Sequence, residues 1–399
     1  MAGPNHRLDV AVAGAGPAGL ACAILLAKGG LSVVVAGPTP AKDARTVALM
    51  QPSVRLLRNL DLWPGPFSAT AQPLRRLTLV DDSGHYFAAP RLTFSANELG
   101  HDAFGWNIPL ETLSTILEHE AERKGITVRQ GQVTNVEISD KGIALQIDDA
   151  SRIEAIMVIA ADGRGSIIRQ AAGIASIQWS YDQTAMASSF AHSVPHHDTS
   201  TEYLGAHGPL TTVPLPGQRS SLVWMDRPER IASLARLSEK DFAGEIQAAI
   251  HGEMGLVSET GPRSAFPMRG LIASAFGCER VMLVGEAAHV VPPIGAQGLN
   301  LSLCDAATAA ELICETRQRG EDIGSVETVR TYASLRRPDV MMRLAVIHGF
   351  NRSLLSDFLP ANVMRSASLA IAAGLPPLRS FIMRQGLEPS FHVPIAMRD

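Results

Sequence analysis

The chain of 399 residues has only four cysteines, Cys22, Cys278, Cys304 and Cys314. None belongs to a C-x-x-C pair, so neither a zinc ribbon nor a dithiol redox site is written here, and no metal centre is expected. Such sparse cysteine fits reduced thiols and a cytoplasmic protein. No apolar run reaches about 18 residues, which excludes a membrane-spanning helix. The N-terminal apolar run is broken at once by glycines and lacks a cleavage-site pattern, so it reads as a strand and not as a signal peptide. Positive charge is also short. Lys and Arg number 35 against 39 acids, a net −4, far from the basic stripe with which a nucleic-acid binder releases counterions. What is present is apolar material, 46% of residues against 19% charged, enough for a sizeable core and too much for disorder. The length suits two or three packed units.

Residues 10–13 form a short apolar run ending in Gly14, residues 17–28 have helical spacing, and 31–36 read as a second buried strand. Together they make a βαβ opening of the parallel-sheet type. Helical periodicity is expected over 47–60 and 110–124, and strand alternation over 74–88. Further strands are expected near 126–129, 132–138, 143–147 and 155–161. From 184 to 225 short strands alternate with Pro and Gly turns, followed by helices at 228–235 and 239–251. A buried strand returns at 281–284. From 298 onward the chain reads as helical, with breaks at Pro338, Pro360 and Pro376-Pro377. Sheet-type segments at both the start and near 280 imply one discontinuous α/β domain (1–73, 98–180, 275–345) with a β-rich substrate layer inserted (74–97, 181–274) and a helical C-terminal segment (346–399).

Gly14-Ala15-Gly16-Pro17-Ala18-Gly19 follows a strand and opens a helix, the context in which G-x-G-x-x-G becomes a dinucleotide fingerprint. Gly14 permits the turn, Gly16 lets a pyrophosphate approach the main chain, and Gly19 lets helix and strand pack closely. The acid that commonly ends the second strand and binds ribose is missing, with Ala36 and Gly37 in its place. That counts against a simple NAD dehydrogenase.

Two further segments follow apolar strands: Asp162-Gly163-Arg164-Gly165-Ser166, with Arg169 a turn later, and residues 285–300, GEAAHVVPPIGAQGLN. With the glycine turn they resemble, in order, the three FAD signatures of the class A flavoprotein monooxygenases, the aromatic hydroxylase superfamily. More narrowly, RTVAL at 45–49, WNIP at 106–109, GPLTTVPLP at 208–216, SLVW at 221–224 and AFPM at 265–268 make the chain similar to the ubiquinone-biosynthesis hydroxylases, up to about Leu359.

The resemblance implies a p-hydroxybenzoate-hydroxylase-like fold: a Rossmann-like, three-layer FAD-binding α/β domain with an inserted antiparallel β-sheet substrate domain and a helical C-terminus. It implies that Gly14, Gly16, Pro17, Ala18 and Gly19 hold the FAD pyrophosphate, that Arg45 and Val133 lie near the cofactor, and that Asp162 serves both FAD and nicotinamide. Gly285 and Glu286 would face the ribitol, Glu286 standing where the family carries Asp. Pro292, Gly295, Gly298, Leu299 and Asn300 would line the isoalloxazine, with the helix opening at Gly298 stabilising the reduced flavin's anionic edge. His207, Thr212, Pro214 and Trp224 are the substrate-pocket candidates.

The implied chemistry is hydroxylation of a phenolic ring through a flavin C4a-hydroperoxide, with NAD(P)H as electron donor, O2 as co-substrate and a polyprenylphenol of ubiquinone biosynthesis as substrate. No second nucleotide fold is visible, so nicotinamide would bind transiently. Hydroxylation of a small soluble phenol and a non-oxygenating flavin-dependent reductase remain as alternatives. His192, His196 and His197 lie in a Pro-containing segment that favours a loop over a metal pair, and His289 reads as serving its local turn. Ser166 has no nucleophile elbow around it. From Arg336 onward eight arginines stand against four acids, beside apolar stripes such as Leu354, Leu355 and Phe358 or Leu369, Ile371, Leu375, Leu378, Phe381 and Ile382. A peripheral membrane surface, or contact with a prenyl tail or other enzymes of the pathway, competes here with ordinary helix packing.

Overall fold

The computed structural model describes residues 7–38, 44–84, 90–354, 379, 383–384 and 391–398. The first strand, Leu8–Ala13, is sealed on both faces, with Val10, Ala11, Val12 and Ala13 at most 1% exposed. That is the environment a continuous apolar run demands. It pairs in parallel with Val33–Gly37 on one side and Arg152–Ala160 on the other. Val281–Leu283 continues the parallel order beyond Arg152–Ala160, and Thr127–Gln130 beyond Val33–Gly37. The chain thus leaves its first strand to build on both sides, which makes the carboxyl end of that strand a topological switch point. Gly142–Ile147 and Val133–Ser139 attach as an antiparallel meander. The helix Pro17–Lys28 packs against the helices Gln297–Gln318 and Leu110–Arg123.

A second sheet of nine strands runs Leu92–Ser95, Arg76–Asp82, Thr199–Gly205, Gly208–Leu215, Arg219–Asp226, Ser176–His192, Ser264–Ala273 and His289–Val290, with Val257–Ser258 beside Ser176–His192. All pairs are antiparallel except Thr199–Gly205 with Arg76–Asp82. Its faces alternate with a period of two. Met186, Phe190, Tyr203, Leu210, Leu222 and Trp224 form the outer face, covered by Ile231, Leu234, Phe242 and Ile246 of the helices Pro228–Arg236 and Glu239–Ala249. Ala185, Val223, Met225, Phe266 and Met268 form the inner face, which meets Val291, Ile294, Ile347 and Phe350. The inner face continues through Leu77, Leu79, Leu92 and Phe94, against Ala48, Met50 and Ala296.

Three expectations change. Residues 46–50 form a strand, Thr46–Met50, and helix starts only at Gln51. This strand pairs with Gly105–Pro109, where a Cβ on Gly105 would lie 2.1 Å from the Leu49 carbonyl oxygen. The strands expected to be short between 184 and 225 include the 17-residue Ser176–His192, which runs unbroken past residue 180. Pro338 does not break its helix. Val326–Leu354 is continuous through it, and the buried ion pairs of Arg336 and Asp339 on either side hold the helix against the missing N–H. Residues 85–88, Pro360, Pro376-Pro377 and the stripes at 355–378, 381 and 382 lie outside the described residues.

Candidate cofactor and substrate site

The three motif loops leave the carboxyl ends of three neighbouring parallel strands. Ala13 pairs with Ala160, and Ala160 with Leu283. Each loop is stitched to the next strand: the Ala161 N–H donates to Ala13 O at 2.7 Å, the Val284 N–H to Ala160 O at 2.9 Å, and the Gly14 N–H to Ala36 O at 2.7 Å. Arg169, 3% exposed, joins the second loop to the third, its guanidinium donating to the carbonyls of Arg164 (2.9 Å) and Ala287 (2.8 Å).

The glycines of the first turn serve different ends. Gly14 has φ +116°, and a Cβ there would sit 2.1 Å from Ala161 O; a Cβ on Gly19 would sit 2.1 Å from Gly14 O. Gly16 faces open space, with nothing within 4 Å of its Cβ position. Between residues 10 and 24 only Gly16, Pro17 and Ala18 escape full burial. The helix they open has no side-chain cap and no acid in its first turn. The helix Gln297–Gln318 also lacks both. Two uncapped N-termini leave N–H donors and positive dipole ends for a ligand to meet.

Asp162 adjoins the same turn, its backbone nitrogen 3.0 Å from the Cβ position of Gly14. Its Oδ2 accepts from the N–H groups of Ile167 (2.8 Å) and Ile168 (3.3 Å), while Oδ1 is buried without a partner among the described residues. Burial raises its pKa. An orphaned carboxylate oxygen is a place for a ligand hydroxyl. The missing ribose acid has a steric reason, since a Cβ on Gly37 would lie 2.6 Å from the Ala15 nitrogen. These features fit a bound dinucleotide.

In the third loop, Gly285 has φ +62° and donates to Asp305 Oδ2 at 3.0 Å, and Glu286 is exposed. Pro292 is buried, whereas Gly295, Gly298, Leu299 and Asn300 all keep some exposure. The Asn300 amide is spent on the protein: Oδ1 accepts from Met50 N–H (2.9 Å) and Ser53 Oγ (2.7 Å), and Nδ2 donates to the carbonyls of Ala48 (2.8 Å) and Ala296 (2.7 Å). Its side chain ties the loop to the strand Thr46–Met50 and the helix Gln51–Asn59. Val133 is 5% exposed and packs in the main core, which leaves only its backbone for a ligand. Arg45 lies over the Phe266 ring at 5.6 Å.

The substrate candidates divide by strand parity. Trp224 belongs to the outer core beneath the two helices, with Arg230 over its ring at 5.8 Å, and so cannot face the loops. Thr212, fully buried, lies opposite Leu222 of the same outer core. Their neighbours Val223 and Thr211 take the inner face. Pro214 contributes its carbonyl to Asn107 Nδ2 at 2.9 Å, and His207 is exposed in a hairpin turn, its carbonyl accepting from Gln183 Nε2 at 2.8 Å. His192 ends its strand and bonds Val194 O and Ser220 Oγ at 2.9 and 3.1 Å.

His289 does more than serve its turn. Its Nε2 lies 2.6 Å from Asp305 Oδ2, Asp305 Oδ1 accepts from Arg336 at 2.7 Å, and Arg336 and Arg343 both donate to Asp339, at 3.0 and 3.2 Å. Arg343 donates to Gln297 Oε1 at 2.6 Å, and Gln297 to Gly295 O at 3.0 Å. Asp305 is fully buried; burial opposes its ionisation, but the charges of His289 and Arg336 outweigh it and hold the pKa below the ordinary range. One buried chain of charges therefore grips both ends of the 285–298 loop. Sequence spacing carried no sign of it, because its members lie on a loop and two helices.

Cofactor loops on a switch-point sheet, faced by a separate apolar β layer, define the class of dinucleotide-cofactor proteins. The chain belongs to the FAD binding domain family, whose model matches residues 7–344. It is 28% identical to the ubiquinone hydroxylase UbiL of Rhodospirillum rubrum, over 95% of this chain and 89% of that protein. It is also 28% identical to the 3-demethoxyubiquinol 3-hydroxylase of Escherichia coli, over 92% and 95% respectively. Among solved structures, p-nitrophenol 4-monooxygenase PnpA of Pseudomonas putida superposes with a TM-score of 0.78 at 17% identity, over 96% of this chain and 99% of that one. The p-hydroxybenzoate-hydroxylase-like architecture expected from the sequence is the one observed.

Proposed function

We propose that this protein is an FAD-dependent monooxygenase that hydroxylates the ring of a phenol, a polyprenylphenol of ubiquinone biosynthesis, with NAD(P)H as donor and O2 as co-substrate. The relatives named as ubiquinone hydroxylases support the pathway. The observation that carries the cofactor is the open space at Gly16 together with the orphaned Oδ1 of Asp162, whose backbone adjoins the same turn at Gly14. When bound, FAD supplies the electron transfer from NAD(P)H and the activation of O2 that no side chain here performs.

The chain's own residues bind, orient and exclude water. Gly14, Gly16, Pro17, Ala18 and Gly19 hold the pyrophosphate on a helix N-terminus. Asp162 Oδ1 accepts from a cofactor hydroxyl, and the exposed Glu286 reaches the ribitol. Pro292, Gly295, Gly298 and Leu299 border the isoalloxazine, and Asn300 fixes that border. The substrate wall is the inner face, with Val223, Met225 and Phe266 replacing Trp224 and Thr212. An apolar wall suits a prenylated ring better than a charged metabolite.

The test combines reconstitution with isotope labelling. Protein refilled with FAD turns yellow, a polyprenylphenol stimulates its NADPH oxidation, and label from 18O2 enters the ring. Oxidation that no phenol stimulates, with no hydroxylated product, replaces this reading by the non-oxygenating reductase.

A further inference from the structure

The strand Thr199–Gly205 reads TSTEYLG, with a single acid among hydroxyl and apolar residues. Tyr203 and its cross-strand partner Leu210 lie in the outer core, so by strand alternation Glu202 points to the inner face. Its partners there are Thr211 on one side and Leu79 on the other, and Thr211 in turn faces Val223. Leu79 packs in the apolar cluster that includes Ala48 and Ala296, and Val223 in the one with Val291 and Ile294. Glu202 therefore occupies the gap between two apolar patches, both of which abut the 291–298 loop.

A carboxylate has no packing reason to be there. Its Oε1 is sealed from solvent with no hydrogen-bond partner among the described residues, while the residue as a whole keeps some exposure. No described cation pairs with it. The charged groups nearest this face are engaged elsewhere: Arg45 lies over Phe266, Arg379 lies over Phe94 and pairs with Glu98, and Asp81 accepts from Ser83 at 2.6 Å. Its own-strand neighbours on the face are Ser200 and Leu204, which add no charge. Burial pushes the Glu202 carboxyl up to about 7. An uncompensated carboxyl buried between apolar patches is the kind of group catalysis uses, and a pKa near the working pH suits a general base.

We propose that Glu202 is the general base of the hydroxylation, taking the hydroxyl proton of the phenol bound between the inner face and the 291–298 loop. In this step the phenol O–H bond breaks, the proton passes to a Glu202 oxygen, and the bonding pair stays on the substrate oxygen as phenolate. Neither partner is oxidised or reduced. The phenolate feeds electron density into the ring, which prepares it for attack on an electrophilic oxygen. The inference rests on the aromatic-hydroxylase reading above.

The FAD-loaded full-length protein provides two independent tests. In 13C NMR of the Glu carboxyls, the signal lost in Glu202→Gln titrates near 7 in the wild type, and bound 4-nitrophenol is more ionised in the wild type than in the variant. With a polyprenylphenol, Glu202→Gln keeps its flavin but loses about 100-fold or more in kcat/KM, along with the acid limb near pH 7. Glu202→Asp recovers part of the rate. A Glu202 signal titrating in the ordinary range near 4.3, or a Glu202→Gln rate and pH profile equal to the wild type, overturns the assignment. If the carboxyl and 4-nitrophenol behave as expected but no phenol is hydroxylated, the proton acceptor stands and the hydroxylase reading fails.

Discussion

A glycine can be required by its own backbone, by a neighbouring chain or by a ligand; the first loop shows the first two at Gly14 and Gly19, and the third is the case proposed for Gly16. Gly16 has φ −76° and ψ 172°, an extended conformation open to any residue, and empty space around its Cβ position. Gly16→Val should therefore leave the apo fold within about 0.5 kcal/mol of wild type, while FAD affinity, read by flavin fluorescence titration, falls at least about 100-fold. Gly19→Ala should do the reverse and lower the melting temperature of the apoprotein, because its Cβ would press on the Gly14 carbonyl. A Gly16→Val protein that still binds FAD tightly removes the pyrophosphate from this turn. Glu202 makes a separate demand on pH. Its folded pKa of about 7 lies above an unfolded value near 4.3, so the native state holds the extra proton between them and stability falls as pH rises through that window. Glu202→Gln should abolish this decline, with a gain of roughly 1–3 kcal/mol at pH 8 and none at pH 4 in urea titrations.

At the level of elements, the 285–298 loop owes its shape to helices that the glycine motifs do not mention. Arg336 is fully buried between Asp305 and Asp339. Removing it as Arg336→Met leaves two carboxylates sealed in the interior, an expected loss of about 3–5 kcal/mol by chemical denaturation. Arg343→Met, nearer the surface, should instead release Gln297 and the Gly295 end of the loop, weakening FAD roughly tenfold, or about 1.4 kcal/mol, with a smaller change in stability. Equal losses in both quantities for the two variants would count against a division of labour along the chain of charges. The same contrast explains what could be read in advance. The Gly14, Asp162 and Gly285 loops were legible because close approach of backbone restricts residue type locally. The faces of Gly208–Leu215 and Arg219–Asp226 were not, since both alternate among apolar and hydroxyl residues and a shift of one position exchanges wall for outer core. Without that parity Trp224 and Thr212 were named as pocket candidates, and Glu202, on the opposite face from Tyr203, was not named. Residues 46–50 misled for a related reason: Val47, Leu49 and Met50 satisfy either period, and pairing with Gly105–Pro109 decided for strand.

For the molecule as a whole, cofactor and membrane make opposite kinds of claim. The basic character of the C-terminal region was the argument for a lipid-facing surface, yet Arg336 and Arg343 are buried in ion pairs and Arg379 is paired with Glu98. Three of the eight arginines are thus withdrawn from any such surface, and no helix among the described residues is long and apolar enough to cross a membrane. If those three are internal struts, flotation with anionic vesicles should be weak and lost at about 0.15 M salt, where exposed charges are screened beyond roughly 8 Å. Salt-resistant retention would instead point to apolar insertion. FAD, by contrast, is proposed to touch loops from three distant stretches of chain, and anything that binds only the folded arrangement stabilises it by mass action. At 100 times its dissociation constant the expected gain is about 2.7 kcal/mol, read as a rise in melting temperature that increases with FAD concentration. Gly16→Val should melt like the wild-type apoprotein and show no rise with FAD. A wild-type protein whose melting is indifferent to FAD would separate the three loops from one another as well as from the cofactor, since a ligand gripped by all of them cannot leave the unfolding equilibrium unchanged.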